Sequence, residues 1–436
     1  MIRYRNMQTQ RVKTSVKASI KDGVAWAMMS GFVDPYGVPF ALALGATPMG
    51  IGLLRSLPPL ATSFCQLFTE KLVLALGRCK KTLLLAVGVQ AAALFAAAAS
   101  VFLPAGYALP VFMALTVVYT VGGNMANPPW AVMMGEYIPP SRRGDFFGFR
   151  SQLLGIVFFT ASFLAARLLG LWEKGALWGF FIVFALAGVF RLISFYYLTL
   201  MYEPANKYHM PRGAGLDFIS GFDFRKGRIP ALFFSVFVLL FATYMAAPFF
   251  GVYALQDLRC SYPRYMVLMS VGPLMTYLFM RRWGAVADLY GSVKILKAAF
   301  LLIPTIPLLW TFSRNFYYLT LVEAYSGIIW GAYLISINNF IYESAPAHLR
   351  TGYNAFYGFL GGIAQFGGAL LGGWLYTRLP SLWGSSFILL LILSAALRVL
   401  AIIPLFVLVR ETRTVKRGTP MDLLLGISGV GRELAR

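Results

Sequence analysis

The sequence predicts an all-α integral membrane protein with twelve transmembrane helices arranged as two pseudo-symmetric six-helix bundles. Three observations carry this. The chain is 59% hydrophobic and only 12% charged over 436 residues, too little polar surface to keep a monomer of that size in water. Apolar stretches of about 20 residues, each long enough to cross a hydrocarbon core of about 30 Å as a helix, recur along the whole chain. One half also echoes the other: Glu136, Pro139, Arg143, Phe149, Leu153, Gly155 and Ile156 return as Glu343, Pro346, Arg350, Phe356, Leu360, Gly362 and Ile363. These identities fall at one fixed spacing of 207 residues within a window of 21 positions, where average composition would supply roughly one or two.

The elements follow in order. Residues 1–22 form a basic N-terminal segment with Arg3, Arg5, Arg11, Lys13, Lys17 and Lys21. The apolar run after them is full-length and lacks a small-residue cleavage site, so the first helix reads as retained rather than as a cleaved signal. The N-terminal bundle occupies 23–201, with spans at 23–45, 49–68, 82–103, 107–135, 146–169 and 177–201. A linker, 202–228, separates the halves; Leu216, Ile219 and Phe222 among charges suggest a short amphipathic helix on the membrane surface. The C-terminal bundle occupies 229–409, with spans at 229–253, 264–280, 295–312, 316–342, 353–377 and 384–409, and a basic tail runs over 410–436. Toward the N-terminus of each half the echo drifts from 207 to 214 and 213, as in Pro35 against Pro248, so short loops absorb the difference. In lipid, helices satisfy every backbone group internally, which such spans require.

A net charge of +22 invites a nucleic-acid reading, but its distribution points elsewhere. With both termini on one side, 28 of the 38 Lys and Arg fall on that side, and only Lys174, Arg259, Arg314, Arg378 and Arg264 fall opposite. That asymmetry is the positive-inside pattern, which places both termini and the linker in the cytoplasm. The basic rim meets anionic lipid headgroups, not nucleic acid.

Cys65, Cys79 and Cys260 are too few and too scattered for a disulfide framework or a metal site. The two histidines, His209 and His348, lie in expected cytoplasmic loops, and nucleophile-elbow, phosphate-loop, metalloprotease and dinucleotide motifs are all missing. The chain therefore reads as neither an enzyme nor a cofactor carrier.

The stretch Gly284-Ala285-Val286-Ala287-Asp288-Leu289-Tyr290-Gly291-Ser292-Val293-Lys294 carries the sharpest motif. It resembles the signature of the major facilitator superfamily, Gly-x-x-x-Asp-x-x-Gly followed by basic residues, at Gly284, Asp288, Gly291 and Lys294. The equivalent stretch of the first half, Glu70 to Lys81, keeps Gly77, Arg78, Lys80 and Lys81 but has Leu74 where the Asp is expected. The segments Pro39–Ala46 and Gly52–Pro58 look like a prokaryotic branch of the same superfamily. The resemblance spans the whole chain and implies the facilitator fold and alternating access, in which two six-helix bundles rock about a central site near mid-membrane. It also implies that Asp288 acts as a gate, meeting Arg143 or Arg150 at the cytoplasmic start of the fifth helix.

Ionisable groups inside the membrane cost a few kcal/mol unless paired or wetted, so they are the functional candidates. Asp34 lies eleven residues beyond Gly23, about 16 Å along the helix and near the midplane. It precedes the helix-kinking Pro35, and its repeat position is Ala247. Asp34 reads either as a proton carrier or substrate contact, or as a static partner of Arg55 or of a hydroxyl. Glu323 sits about two turns from the outer end of the tenth helix, and Arg55 about two turns below the outer surface in the second. Asn124, Asn127, Asn338 and Asn339 are costly against lipid and are placed toward the central cavity, with Trp130, Tyr119, Trp330 and Tyr333 on its wall. Arg191 and Arg398, in equivalent places in the sixth and twelfth helices, read as peripheral groups that snorkel or form structural ion pairs. Glu136 and Glu343 belong to the structural repeat. The glycines of the eleventh helix (Gly358, Gly362, Gly368, Gly372) and of the fifth (Gly144, Gly148, Gly155) suit close helix packing and sliding.

The reading that joins these features is a monomeric secondary active transporter in a prokaryotic cytoplasmic membrane, moving a small organic solute and coupled to protons through Asp34. The alternatives are an exchanger or facilitator independent of a proton gradient, and a non-transporting sensor or scaffold on the same fold.

Overall fold

The computed structural model describes residues 2–139, 143–172, 176–203, 228–344 and 350–409. Twelve helical segments run through them. In the first half, α1 is Ile2–Val33 with a continuation at Gly37–Ala43, α2 is Pro48–Leu76, α3 is Cys79–Ala99, α4 is Ala105–Tyr137, α5 is Arg143–Leu169 and α6 is Leu177–Thr199. In the second, α7 is Arg228–Ala246 with a distorted continuation to Asp257, α8 is Tyr262–Tyr290, α9 is Ser292–Leu302 with Thr305–Leu309, α10 is Phe316–Ser344, α11 is Arg350–Arg378 and α12 is Ser386–Leu400 with Ile402–Leu408. Nine of the described helices are long and apolar enough to cross a membrane by length and composition. The other three, α1, α2 and α8, are diluted by polar and turn-forming residues such as Asp34 and Pro35, Arg55 and Ser56, and Ser270 and Pro273. The suggested linker helix lies outside the described residues.

Several helices run past the apolar spans. The ends of α1, α2, α5 and α8 are charged yet helical, because hydropathy registers only the part that meets lipid while straight-chain charged residues are good helix formers. The signature stretch shows the same effect. Gly284 and Asp288 lie on the last turns of α8, and the turn itself is little more than Gly291, whose φ of 95° is open to glycine. Gly77, at φ 68°, ends α2 in the same way.

The chain divides into two compact units, Met1–Arg212 with Cys260–Met266, and Gly213–Arg259 with Val267–Arg436. Each repeats the other's pairings: α1 packs on α5 and α6 as α7 packs on α11 and α12, and α3 packs on α4 as α9 packs on α10. An aromatic anchor repeats too. Phe40 stacks on Phe180 at 5.0 Å, and Tyr253 meets Phe387 at 5.0 Å, each residue displaced by the 213- or 207-residue spacing seen in the sequence.

Proline breaks both leading helices at the repeat position. Pro35 has no N–H to continue the ladder, so α1 stops at Val33 and a turn follows in which Tyr36 N donates to Val33 O at 3.0 Å. At Pro248 α7 tightens to a 3₁₀ turn, Ala247–Phe249. Only the first break carries an acid.

Glycine spacing sorts itself by contact. A Cβ at Gly372 would fall 2.0 Å from Met245 O and one at Gly368 2.4 Å from Phe241 O, so these two let α11 lie directly on α7. A Cβ at Gly358, Gly148 or Gly155 would meet nothing within 4 Å. On the α1–α5 interface the close approach comes instead from α1, where a Cβ at Gly31 would lie 2.7 Å from Phe158 O.

Candidate functional site

The break in α1 builds the first site. Asp34 N still reaches Ser30 O at 2.9 Å, and its side chain is exposed at the turn. Tyr119, on α4, donates its hydroxyl to Asp34 Oδ1 at 3.0 Å, and the Arg55 charge acts on the same carboxylate. Asp34, Tyr119 and Arg55 from three helices are thus brought together.

A second polar site lies within the same unit. Asp22 is 5% exposed. Ser194 Oγ donates to Asp22 Oδ1 at 2.6 Å, and Arg191 Nη1 donates to Ser194 Oγ at 2.8 Å. Arg150 Nη2 stands 3.9 Å from Asp22 Oδ2, and its guanidinium lies 4.4 Å over the Trp130 ring, a cation–π distance. Gly23 makes this possible: a Cβ there would lie 2.7 Å from Arg150 Nη2. Around these groups is a cavity of about 100 Å³, lined also by Trp26, Asn127 and Gly123. Asp22 escapes the sequence analysis because it neighbours Lys21 at the expected membrane boundary and reads as a headgroup-level charge. The signal was present: Asp22, Trp26 and Ser30 repeat every four residues on one face of α1.

Two expectations need correction. For Arg191 and Arg398, read as groups that snorkel or form structural ion pairs, the snorkelling alternative falls, since they are 4% and 2% exposed. Arg191 serves Ser194 and faces Asp22, while Arg398 Nη1 donates to Ile303 O at 3.3 Å. Pro307 lacks the N–H that would have bonded that carbonyl across the break in α9; Ile306 N donates to it at 3.3 Å, and the arginine adds a second donor. Tyr333, expected on a cavity wall, is 1% exposed; its hydroxyl lies 3.3 Å from that of Tyr357 and its ring packs against Trp330, because a phenol can bury its body where another hydroxyl meets its tip.

The remaining candidates scatter. Glu323 Oε1 accepts from Trp310 Nε1 at 3.0 Å, with Gly272 leaving room for the carboxylate. Asn124 and Asn338 each bond back to a carbonyl of their own helix, Thr120 O at 2.9 Å and Leu334 O at 2.8 Å. Asn339 is half-buried. Asn127, Glu136 and Asp288 are exposed, whereas Gly284 and Lys294 are half-buried. Arg150, assigned by resemblance to the gate, is held in its own unit by Asp22 and Trp130. The side chains of Arg143 and Glu343 lie outside the described residues, as do His209 and His348.

The family model described as Major Facilitator Superfamily matches residues 23–366 and 232–428. The chain belongs to the major facilitator superfamily. Superfamily members are transporters, not enzymes, and this one is an integral membrane protein. Among curated proteins no match is found. Among solved structures, the nucleoside transporter NupG is similar at 14% identity and a TM-score of 0.71, over 91% of this chain and 98% of that one. A bacterial homologue of the iron transporter ferroportin in an inward-facing state is similar at 13% identity and a TM-score of 0.69, over 91% and 98%. A D-xylose–proton symporter is similar at 12% identity and a TM-score of 0.67, over 92% and 98%. At such identities the likeness concerns the facilitator fold alone.

Proposed function

We propose that this facilitator is a proton-coupled secondary transporter that carries a small organic solute by alternating access, with Asp34 as the proton carrier. One observation carries the reading. A lone carboxylate stands at a helix break that its repeat partner shares without the acid, exposed, within one hydrogen bond of Tyr119 and in the field of Arg55. A carboxylate that only pinned helices together would gain by being enclosed, since an ion in the membrane is costly unless satisfied on every side. A group that must exchange protons has to be reached. The similarity of the fold to a D-xylose–proton symporter supports coupling without fixing the cargo. The same reading takes the protein as a monomer in a prokaryotic cytoplasmic membrane, termini inside, with Asp288 at the end of α8 as a gating carboxylate and 202–228 as the tether.

The test is transport in proteoliposomes with a panel of labelled carboxylates, sugars and nucleosides, with and without an imposed pH gradient. Asp34→Asn should lower gradient-driven accumulation to the level of protein-free liposomes while sparing exchange of internal for external solute. Full accumulation by that variant would remove Asp34 from coupling and turn attention to Glu323. Accumulation by the wild type without any pH gradient would instead favour the gradient-independent exchanger.

A further inference from the structure

The cavity beside Asp22 is charged out of balance. Its lining holds two guanidinium groups, Arg150 and Arg191, against the single carboxylate of Asp22. That carboxylate is already engaged at both oxygens, with Ser194 at 2.6 Å and Arg150 at 3.9 Å. Arg191 is nine-tenths buried and more, and it spends Nη1 on Ser194 rather than on an acid. Three N–H donors find no hydrogen-bond partner among the described residues: Arg150 Nε, Arg191 Nε and Trp130 Nε1. A buried donor without an acceptor costs about 1–3 kcal/mol, and an uncompensated buried cation costs more. Two arginines from different helices and an indole N–H around one small space form a set of donors lacking a single negative acceptor.

We propose that this cavity binds a monocarboxylate, so that the transported solute is a short-chain monocarboxylate or carries a carboxylate at one end. The choice among anions follows from charge and shape. One excess positive charge calls for one negative charge, and a planar carboxylate matches the guanidinium fork. A volume of about 100 Å³ holds a carboxylate with a few carbons. Anything longer leaves past Trp26 and Asn127, both exposed at the cavity's edge. Asp22 then has a defined part: it neutralises one arginine and, through Ser194, holds Arg191 in place, so that a ligand meets one spare charge rather than two. The Trp130 ring under Arg150 fixes the height of the guanidinium plane. As a substrate assignment this rests on the transport reading above, but the binding it invokes needs no gradient.

The experiment uses the purified full-length protein in detergent, titrated with acetate and propionate and, separately, with inorganic phosphate and chloride at matched ionic strength. Thermal unfolding and tryptophan fluorescence are followed. A saturable rise in the unfolding midpoint with propionate is expected, weakened at least tenfold in half-saturation by Arg150→Gln and by Trp130→Phe. It should be unchanged in Arg378→Gln, an exposed arginine of the other unit that lies outside the cavity, and the propionate-induced fluorescence change should vanish in Trp130→Phe. If Arg150→Gln does not fold, Arg150→Lys keeps the charge and loses the fork, and the same weakening is expected. No saturable effect of carboxylates, equal effects of chloride, a preference for phosphate, or undiminished binding by both the Arg150 and Trp130 variants would overturn the proposal. Because binding is read without any gradient, carboxylate binding by a protein that fails to accumulate solute under a pH gradient bears on the proton reading alone.

Discussion

Lys80 stands where two helix ends meet, and its contacts explain why a basic residue survives in the first signature stretch although its acid does not. The ammonium donates to Thr199 O and Met201 O, both at 2.7 Å, supplying donors for the orphan carbonyls at the end of α6 and a positive charge where the helix dipole is negative. In return Glu203 Oε1 accepts from Lys80 N at 3.1 Å at the start of α3, placing an anion at the positive end of that helix. Replacing Lys80 with Met removes the charge and keeps the length. The expected cost is about 1–2 kcal/mol of stability from the carbonyls and dipole left behind, read as a lower thermal midpoint of the purified protein; a midpoint equal to wild type would show that the cap contributes nothing. Such roles were partly legible. Asp34 reads from its depth and from Pro35 either as a proton carrier or substrate contact or as a static partner of Arg55 or a hydroxyl, and a hydroxyl, that of Tyr119, bonds it. Asp22 was not legible as a partner of Ser194 and Arg150, because hydropathy assigns a charge beside Lys21 to the headgroups and says nothing of the space that Gly23 opens for an arginine four helices further along the chain. The partner of Arg398 was not legible for a similar reason: it is the carbonyl of Ile303, four residues before Pro307, and carbonyls leave no mark in a sequence.

At the scale of helices, glycine spacing names a helix suited to close packing but not the turn that is used. Four glycines of α11 share the pattern, yet Gly368 and Gly372 rest against the backbone of α7 while Gly358 meets nothing. The contrast gives a paired prediction. At Gly372 even a methyl group would fall 2.0 Å from Met245 O, so Gly372→Ala has to push two helices apart, at an overpacking cost of about 1–3 kcal/mol. At Gly358 nothing lies within 4 Å, and alanine there improves helix propensity by roughly 0.5–1 kcal/mol. Thermal unfolding in detergent should therefore fall for Gly372→Ala and hold or rise for Gly358→Ala; a fall of equal size in both would mean that spacing alone matters. The crossings themselves were legible, since about 20 apolar residues have few other uses. The helix ends were not, because α1, α2 and α8 continue as ordinary solvated helices beyond the lipid, where the apolar signal stops but backbone hydrogen bonding does not.

For the molecule as a whole, orientation is decided by charge rather than by any contact. Moving a basic loop across the bilayer is unfavourable, and the bias counts Lys and Arg close to the membrane ends rather than net charge. Here 28 of 38 basic residues would lie on the side of the termini, and the asymmetry is carried by both halves, so neither depends on the other for its direction. An even number of crossings in each half returns the chain to the side where it began, so the linker and the tail are expected on one side together, the cytoplasmic one by the charge rule. Single cysteines in place of Lys174, Arg225 and Lys416, in a background lacking Cys65, Cys79 and Cys260, test this with an impermeant thiol reagent on intact cells. Position 174 should label freely, and 225 and 416 only after the membrane is opened. Labelling at 225 with protection at 174 would reverse the orientation. It would also carry a consequence for the sites, because Asp22 follows the basic N-terminal stretch of α1 and Asp34 lies a further twelve residues along the chain. In the expected orientation the carboxylate cavity is nearer the cytoplasm and the proposed proton carrier nearer mid-membrane; in the reverse one a solute would meet that cavity from outside before reaching Asp34. Labelling at 174 therefore fixes the side of the membrane from which Asp22 and Arg150 are first reached.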